Sequence, residues 1–272
     1  MNETYQLYHG DCLEIMPQLI EDGVKVDLIL TDIPYGTTDC KWDTIIPLEE
    51  MWKCIKEIRN DKTPILLFSD EPFSSYLRMS NIKEYKYDWI WIKDGPSNIF
   101  NAKIRPMKYT ENICVFYKEQ CKYYPERIMI PRINRRVEQG QKKGYVGKSE
   151  AKSVVVSSNG LKSGAYISDY SKWNANYKYP SNYLFFSRVR GNSHENVDHP
   201  TQKPVKLLEY LIKAYTDEGD TILDFTMGSG STGVACMNTG MKFIGIELEE
   251  KYYNIAEQRL MEAKHSKQTT LI

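Results

Sequence analysis

Three short stretches carry the side chains able to do chemistry. Thr31-Asp32-Ile33-Pro34-Tyr35-Gly36 closes the apolar run Val26-Asp27-Leu28-Ile29-Leu30. That run reads as a short buried parallel strand, and Pro34 holds Ile33 extended, so the chain leaves the strand as a rigid turn. A carboxylate on Asp32, a fixed carbonyl on Ile33 and the Tyr35 ring are thereby collected at a strand's carboxyl end, where open α/β sheets place their ligands. A plain turn uses the same letters, and the motif alone leaves both readings open.

The second stretch is Phe225-Thr226-Met227-Gly228-Ser229-Gly230-Ser231-Thr232-Gly233, directly after Thr221-Ile222-Leu223-Asp224. It reads as a strand, a glycine-rich turn and a helix from near Ser231, and the next strand, 242 to 246, delivers Glu247 at its end. Glycines let backbone approach a ligand closely, and an acid on the following strand can hydrogen-bond both hydroxyls of a ribose, so the pattern cradles a nucleotide-like ligand. Gly228, Gly230 and Gly233 also satisfy G-x-G-x-x-G, which keeps an NAD-dependent oxidoreductase in play beside a tight turn with no ligand. The third stretch is Asp11-Cys12, between a strand at 5 to 9 and an amphipathic helix at 12 to 20. Asp11 is placed to accept from an adenine amino group or to cap the helix.

The elements that must position these groups follow from periodicity. A helix is predicted over 47–59, a strand over 64–68, a helix over 71–79 and strands over 85–93 and 111–118. Residues 37–43 form a loop, polar apart from Trp42, that could close over a substrate. After Pro200-Thr201-Gln202-Lys203-Pro204, a helix places Val205, Leu208, Ile212 and Tyr215 on one face. Glu249 and Glu250 favour the start of a last helix ending near His265.

Net charge is zero, yet residues 121–190 hold 14 Lys and Arg against 4 Asp and Glu, with eleven aromatics. Gly and Ser punctuation marks this segment as an insertion rather than sheet. Interleaved charge and rings suit phosphate contact and base stacking, for which Arg132, Arg135, Arg136, Lys142 and Lys143 are candidates; a solvated insertion with its own small core is the alternative. No apolar run is long enough for a membrane span and no signal peptide is visible, so a cytoplasmic protein is expected. The six cysteines and four histidines show no metal-ligand spacing, and no metal is expected.

Taken in order, Asp11, Asp32-Ile33-Pro34-Tyr35, the basic insertion, His199-Pro200-Thr201-Gln202-Lys203-Pro204 and the late glycine motif resemble the β group of amino-directed DNA methyltransferases. Members use S-adenosylmethionine to modify adenine N6 or cytosine N4. The likeness covers nearly the whole chain apart from 121–180; Ile33 departs from the proline usual there, but the group needed is a main-chain carbonyl, which isoleucine also supplies. The resemblance implies a Rossmann-like α/β sheet with helices on both faces, in permuted motif order. Residues 1–120 would be its catalytic part, 121–190 an inserted target-recognition segment and 191–272 the cofactor-binding part.

It also implies roles. Asp32 and the Ile33 carbonyl would accept from the target amino group, with Pro34 fixing the turn, and Tyr35 would stack on a base flipped from double-stranded DNA. Phe225, Gly228, Ser229, Gly230, Ser231 and Thr232 would surround the cofactor's methionine and sugar, with Glu247 on the ribose, Asp11 and Cys12 on the adenine, Asp32 close by, and Thr201 and Lys203 on its carboxylate. The resemblance allows a homodimer and a separate restriction endonuclease as partners. Asp32 favours adenine, since serine is commoner in cytosine enzymes of the group. A non-catalytic DNA-binding relative, motivated by Ile33, remains a further reading, and a protein-glutamine methyltransferase, whose glycine motif usually comes first, a weaker one.

Overall fold

The computed structural model describes residues 4–36, 43–131, 177–191, 193–197 and 199–270. The chain divides into two units, one of residues 1–128 with 181–272 and the other of 129–180. In the second, β6 (Ile130–Pro131) and β7 (Tyr177–Lys178) pair antiparallel.

The first unit is built on an eight-stranded mixed sheet. Its strands are β1 (Tyr5–His9), β2 (Leu28–Asp32), β3 (Ile65–Ser69), β4 (Tyr85–Ile92), β5 (Thr110–Phe116), β8 (Tyr183–Phe185), β9 (Thr221–Asp224) and β10 (Lys242–Glu247). In space they run β1-β10-β9-β2-β3-β5-β4-β8, with only β5 antiparallel to its neighbours. Strand alternation splits the core in two. Leu28, Leu30, Leu66, Phe68 and Ile222 face one layer, and Ile29, Ile65, Leu67 and Leu223 face the other.

Each layer takes its own helices. α1 (Cys12–Glu21), α2 (Leu48–Ile58) and α3 (Phe73–Ser80) bury Met16, Leu19, Met51, Ile55 and Leu77 against the second set. α4 (Val205–Tyr215), α5 (Ser231–Thr239) and α6 (Glu250–Thr270) cover the first, through Leu208, Leu211, Cys236 and Leu260. The four residues expected on one face of α4 are all buried. Because α2 carries the chain from β2 to β3 and α5 carries it from β9 to β10 in the opposite direction, the sheet reverses its winding between β2 and β9. Such a switch point opens a crevice at the strands' carboxyl ends, and it brings together two motifs that lie far apart in sequence.

Residues 121–190 are not wholly outside the sheet, contrary to the sequence reading. Cys121 and Ile128 are buried in the main core. β8 pairs parallel with β4, Ile90 N donating to the Asn182 carbonyl at 2.7 Å, with Leu184 buried between exposed Tyr183 and Phe185. A three-residue edge strand shows no repeat that periodicity could register. Among the described residues, no helix is long and apolar enough to cross a membrane.

Candidate active site

The carboxyl ends of β1, β2, β9 and β10 border one cavity of about 990 Å³, lined by Asp11, Asp32, Tyr35, Lys203, Phe225 and Glu247 among others. Three hydroxyl and carboxyl groups tie its floor together. Thr31 Oγ1 donates to Asp224 Oδ1 at 2.6 Å and lies 2.6 Å from Thr226 Oγ1, which donates to the Asp32 carbonyl at 3.1 Å. The Asp32 turn and the glycine turn are therefore held by one set of side chains. Burial pushes the Asp224 carboxyl up to about 6, against the hydrogen bonds from Thr232 and Thr31.

The Asp32 turn is further fixed from its far side. Asp43, itself buried, accepts through Oδ1 from the backbone N–H of Tyr35 at 2.8 Å and of Gly36 at 2.9 Å. Gly36 has φ of +67°, where a side chain is strained, and an added Cβ would meet Ile45 Cγ1 at 3.1 Å. The Ile33 side chain is buried in the core, and Tyr35 packs near-parallel to Phe73 with centroids 5.8 Å apart. The Tyr35 hydroxyl donates to Asp32 Oδ1 at 2.5 Å. Of the loop expected to cover this region, residues 37–42 lie outside the described residues.

Asp32 Oδ2 is paired with Lys203 Nζ, which also lies 3.6 Å from Glu111 Oε2; Lys93 Nζ holds Glu111 Oε1 at 2.8 Å. Two carboxylates and two ammonium groups make a nearly neutral, half-enclosed network. Burial acts to lower the Lys203 ammonium, but Asp32 and Glu111 outweigh it and hold it above its ordinary value. Burial likewise acts to raise Glu111, and Lys203 and Lys93 hold it below the usual carboxylate range. For Asp32, burial prevails and raises the carboxyl, with Lys203 opposing. Lys203 thus touches the Asp32 carboxylate, where the resemblance had reserved it for a cofactor carboxylate. Lys93 stands at the carboxyl end of β4, while Glu111, near the start of β5, reaches the site because β5 runs antiparallel, which short-range pattern does not encode.

The glycine turn is packed closely against the rest of the chain. At Gly228, φ is +53° and an added Cβ would stand 2.9 Å from His199 Nε2. Gly230, at φ of +75°, and Gly233 are packed likewise: a Cβ would come within 2.8 Å of Ala256 Cβ and 2.7 Å of Phe243 Cε1 respectively. Glu247 is buried, accepts from Gly228 N and Glu249 N, each at 2.8 Å, and burial raises its carboxyl. Its oxygens retain lone pairs for further donors such as hydroxyls. Ser229 and Ser231 are buried, and both accept from Arg259 Nη1 of α6 at 3.2 Å, a contact no sequence motif announces. Thr232 is buried beneath them.

At the opposite rim Asp11 caps α1, accepting from Leu13 N at 2.8 Å, and remains exposed on the cavity. Cys12 is buried beside it, its thiol pushed up to about 12 by burial and by Asp11. Thr201 N donates to His199 Nδ1 at 3.4 Å, placing Thr201 on the cavity wall. Arg132, Arg135, Arg136, Lys142 and Lys143 lie outside the described residues.

The geometry meets known proteins at both levels. A family model described as DNA methylase, of the N6/N4 type, matches residues 26–258. The DNA adenine methyltransferase YhdJ of Escherichia coli K12 is 27% identical over 285 aligned positions, covering 97% of this chain and 85% of that protein. The type II methyltransferase M2.DpnII of Streptococcus pneumoniae is 56% identical over 62 residues, 23% of each chain. Among solved structures, the M1.HpyAVI–SAM complex is similar at a TM-score of 0.60 with 26% identity, covering 94% of this chain and all of that one. The cytosine-N4-specific PvuII DNA methyltransferase shares the fold at a TM-score of 0.62 with 15% identity. A dinucleotide oxidoreductase is set aside by the match across both motifs, and the chain belongs to the N6/N4 DNA methylase family.

Proposed function

We propose that this chain methylates the exocyclic N6 of an adenine flipped out of double-stranded DNA. The observation that supports the reading is that Asp32 and Ile33, at the carboxyl end of β2, line one cavity with the glycine turn. S-adenosylmethionine is the methyl donor; when bound it supplies an activated methyl on a sulfonium. The cavity fits such a molecule. Gly228, the buried Glu247 acceptor, Asp11 and Cys12 line one cavity, and an adenosine-like body would lie along them with Asp11 and Cys12 at its adenine end.

The protein's own groups do the rest by position. An aromatic amino nitrogen is a poor nucleophile because its lone pair is delocalised into the ring. Accepting hydrogen bonds from both of its hydrogens draws it toward tetrahedral geometry, and Asp32 and the Ile33 carbonyl would accept both. Lys203 favours the ionised, acceptor-only form of Asp32, and the Tyr35 hydroxyl fixes one of its oxygens. Tyr35, held by Asp43 and Phe73, offers a fixed ring on which the flipped base would stack. The preference for adenine over cytosine is supported by the acidic Asp32 and by the adenine specificity named for YhdJ. Arg132, Arg135, Arg136, Lys142 and Lys143 would contact DNA phosphates, and neutralising Lys142 and Lys143 should weaken binding in a salt-dependent way.

The test is incubation with labelled S-adenosylmethionine and unmethylated DNA, followed by nucleoside mass analysis and mapping of modified positions. N6-methyladenine is expected. N4-methylcytosine would transfer the reading to cytosine, and substantial transfer by Asp32→Ala would sink the role given to Asp32.

A further inference from the structure

The loop joining β4 to β5 carries Lys93 of the charge network at its base, but its tip lies outside that network and is built to present something. β4 runs antiparallel to β5, which runs antiparallel to β3, so residues 93–109 emerge from the same edge of the sheet as Asp32. Its stem is clamped. Lys93 N donates to the Tyr109 carbonyl at 2.7 Å and Ser97 N to the Lys108 carbonyl at 2.9 Å. The Asn98 side chain spans both arms, accepting from Lys108 N at 2.6 Å and donating to the Pro106 carbonyl at 3.1 Å.

The tip is a single 3₁₀ turn, Ile99–Asn101, and what it presents is apolar. Phe100 is 99% exposed, Ile104 80% and Ile99 61%. A solvated phenyl ring on a rigid turn adds nothing to the core, and clustered exposed apolar groups mark contact surfaces. Lys103 and Arg105, also exposed, flank the tip with positive charge. The stem opens on the catalytic cavity: Ser97 lines it, and Lys93 leads through Glu111 to Lys203, the partner of Asp32.

We propose that this loop is a wedge for duplex DNA: Phe100 enters the base stack beside the target, while Lys103 and Arg105 hold flanking phosphates. The inference rests on the reading that a base is flipped from a duplex into the cavity. Unstacking a base is costly, and an apolar side chain that fills the gap offsets part of that cost. A second copy of the chain is the rival occupant. A two-fold axis through the tip would set Lys103 and Arg105 against their own copies, which disfavours that arrangement, whereas a polyanion is attracted by the same charges.

Phe100→Ala decides the matter, because so exposed a ring is removable without touching the core; an unchanged melting temperature will show this. Once wild-type enzyme has been used to map a modified position in unmethylated plasmid DNA, duplexes are made with that target base paired or mispaired. The variant should lose roughly tenfold in single-turnover rate on the paired duplex and less than about twofold on the mispaired one, which needs less help to flip. Phe100→Trp should restore the rate. 2-Aminopurine at the target position should brighten less with Phe100→Ala than with wild type. Equal rates for variant and wild type on the paired duplex, or equal losses on both duplexes, overturn the wedge and leave the transfer reading standing. Wild type that methylates no DNA overturns both. Sedimentation showing that Phe100→Ala turns a dimer into a monomer assigns the tip to a second copy and overturns the wedge.

Discussion

Lys203 Nζ is paired with the Asp32 carboxylate although 171 positions separate them in sequence. The contact joins the start of α4 to the end of β2 and places a cation between Asp32 and Glu111. A cation there favours the ionised form of both acids, and ionised Asp32 is the form that accepts from an amino group. Lys203→Met should therefore raise the Asp32 carboxyl and move the acid limb of the kcat/KM profile to higher pH by about one unit or more. A profile that keeps its acid limb in place would show that Lys203 does not set the charge of Asp32.

Asp43 is expected to act on catalysis without touching substrate. Its Oδ1 gathers the Tyr35 and Gly36 amides, so Asp43→Ala releases the turn that aims the Ile33 carbonyl and the Tyr35 ring. A fall of about tenfold in kcat/KM is expected. Asp43→Asn keeps the accepting oxygen and should recover most of it, a rescue that mere loss of packing would not give.

Asp224 should make stability depend on pH. Its carboxyl is raised from an ordinary 3.8 to about 6 in the folded chain. The native state then holds the proton more tightly than the unfolded state, so this group's contribution is complete below its ordinary value and is lost as pH rises through about 6. Asp224→Asn keeps an acceptor for Thr31 and removes the titration. Between about pH 4 and about pH 6 the variant should gain up to about 3 kcal/mol on wild type. Urea unfolding at stepped pH measures the difference.

Two glycines that look alike in sequence should answer differently to alanine. At Gly233 the new Cβ would meet Phe243 Cε1 at 2.7 Å and Leu260 Cδ1 at 2.9 Å, forcing α5 from the sheet and α6. Gly233→Ala should cost about 1–3 kcal/mol. Gly191 has open space around its Cβ position, and Gly191→Ala should fall within about 0.5 kcal/mol of wild type. Denaturation midpoints of the two variants make the comparison.

The amino-acid sequence by itself determined what neighbours along the chain can decide. The strand, turn and helix around Gly228 to Gly233, the extended exit from β2 at Ile33-Pro34, the N-cap at Asp11 and the apolar face of α4 all follow from local sterics, capping and periodicity. The same local signals placed Asp32 and Glu247 at strand ends. Tertiary structure alone decided how the strands are ordered and which way β5 runs. Those choices depend on long-range pairing and on two separately packed cores, which leave no periodic trace. They bring Glu111 to Lys203, draw β8 from a segment that reads as insertion, and turn Lys203 onto Asp32. Strand order at the β2–β9 switch point is also why the Asp32 turn and the glycine turn, on separate elements, face one cavity.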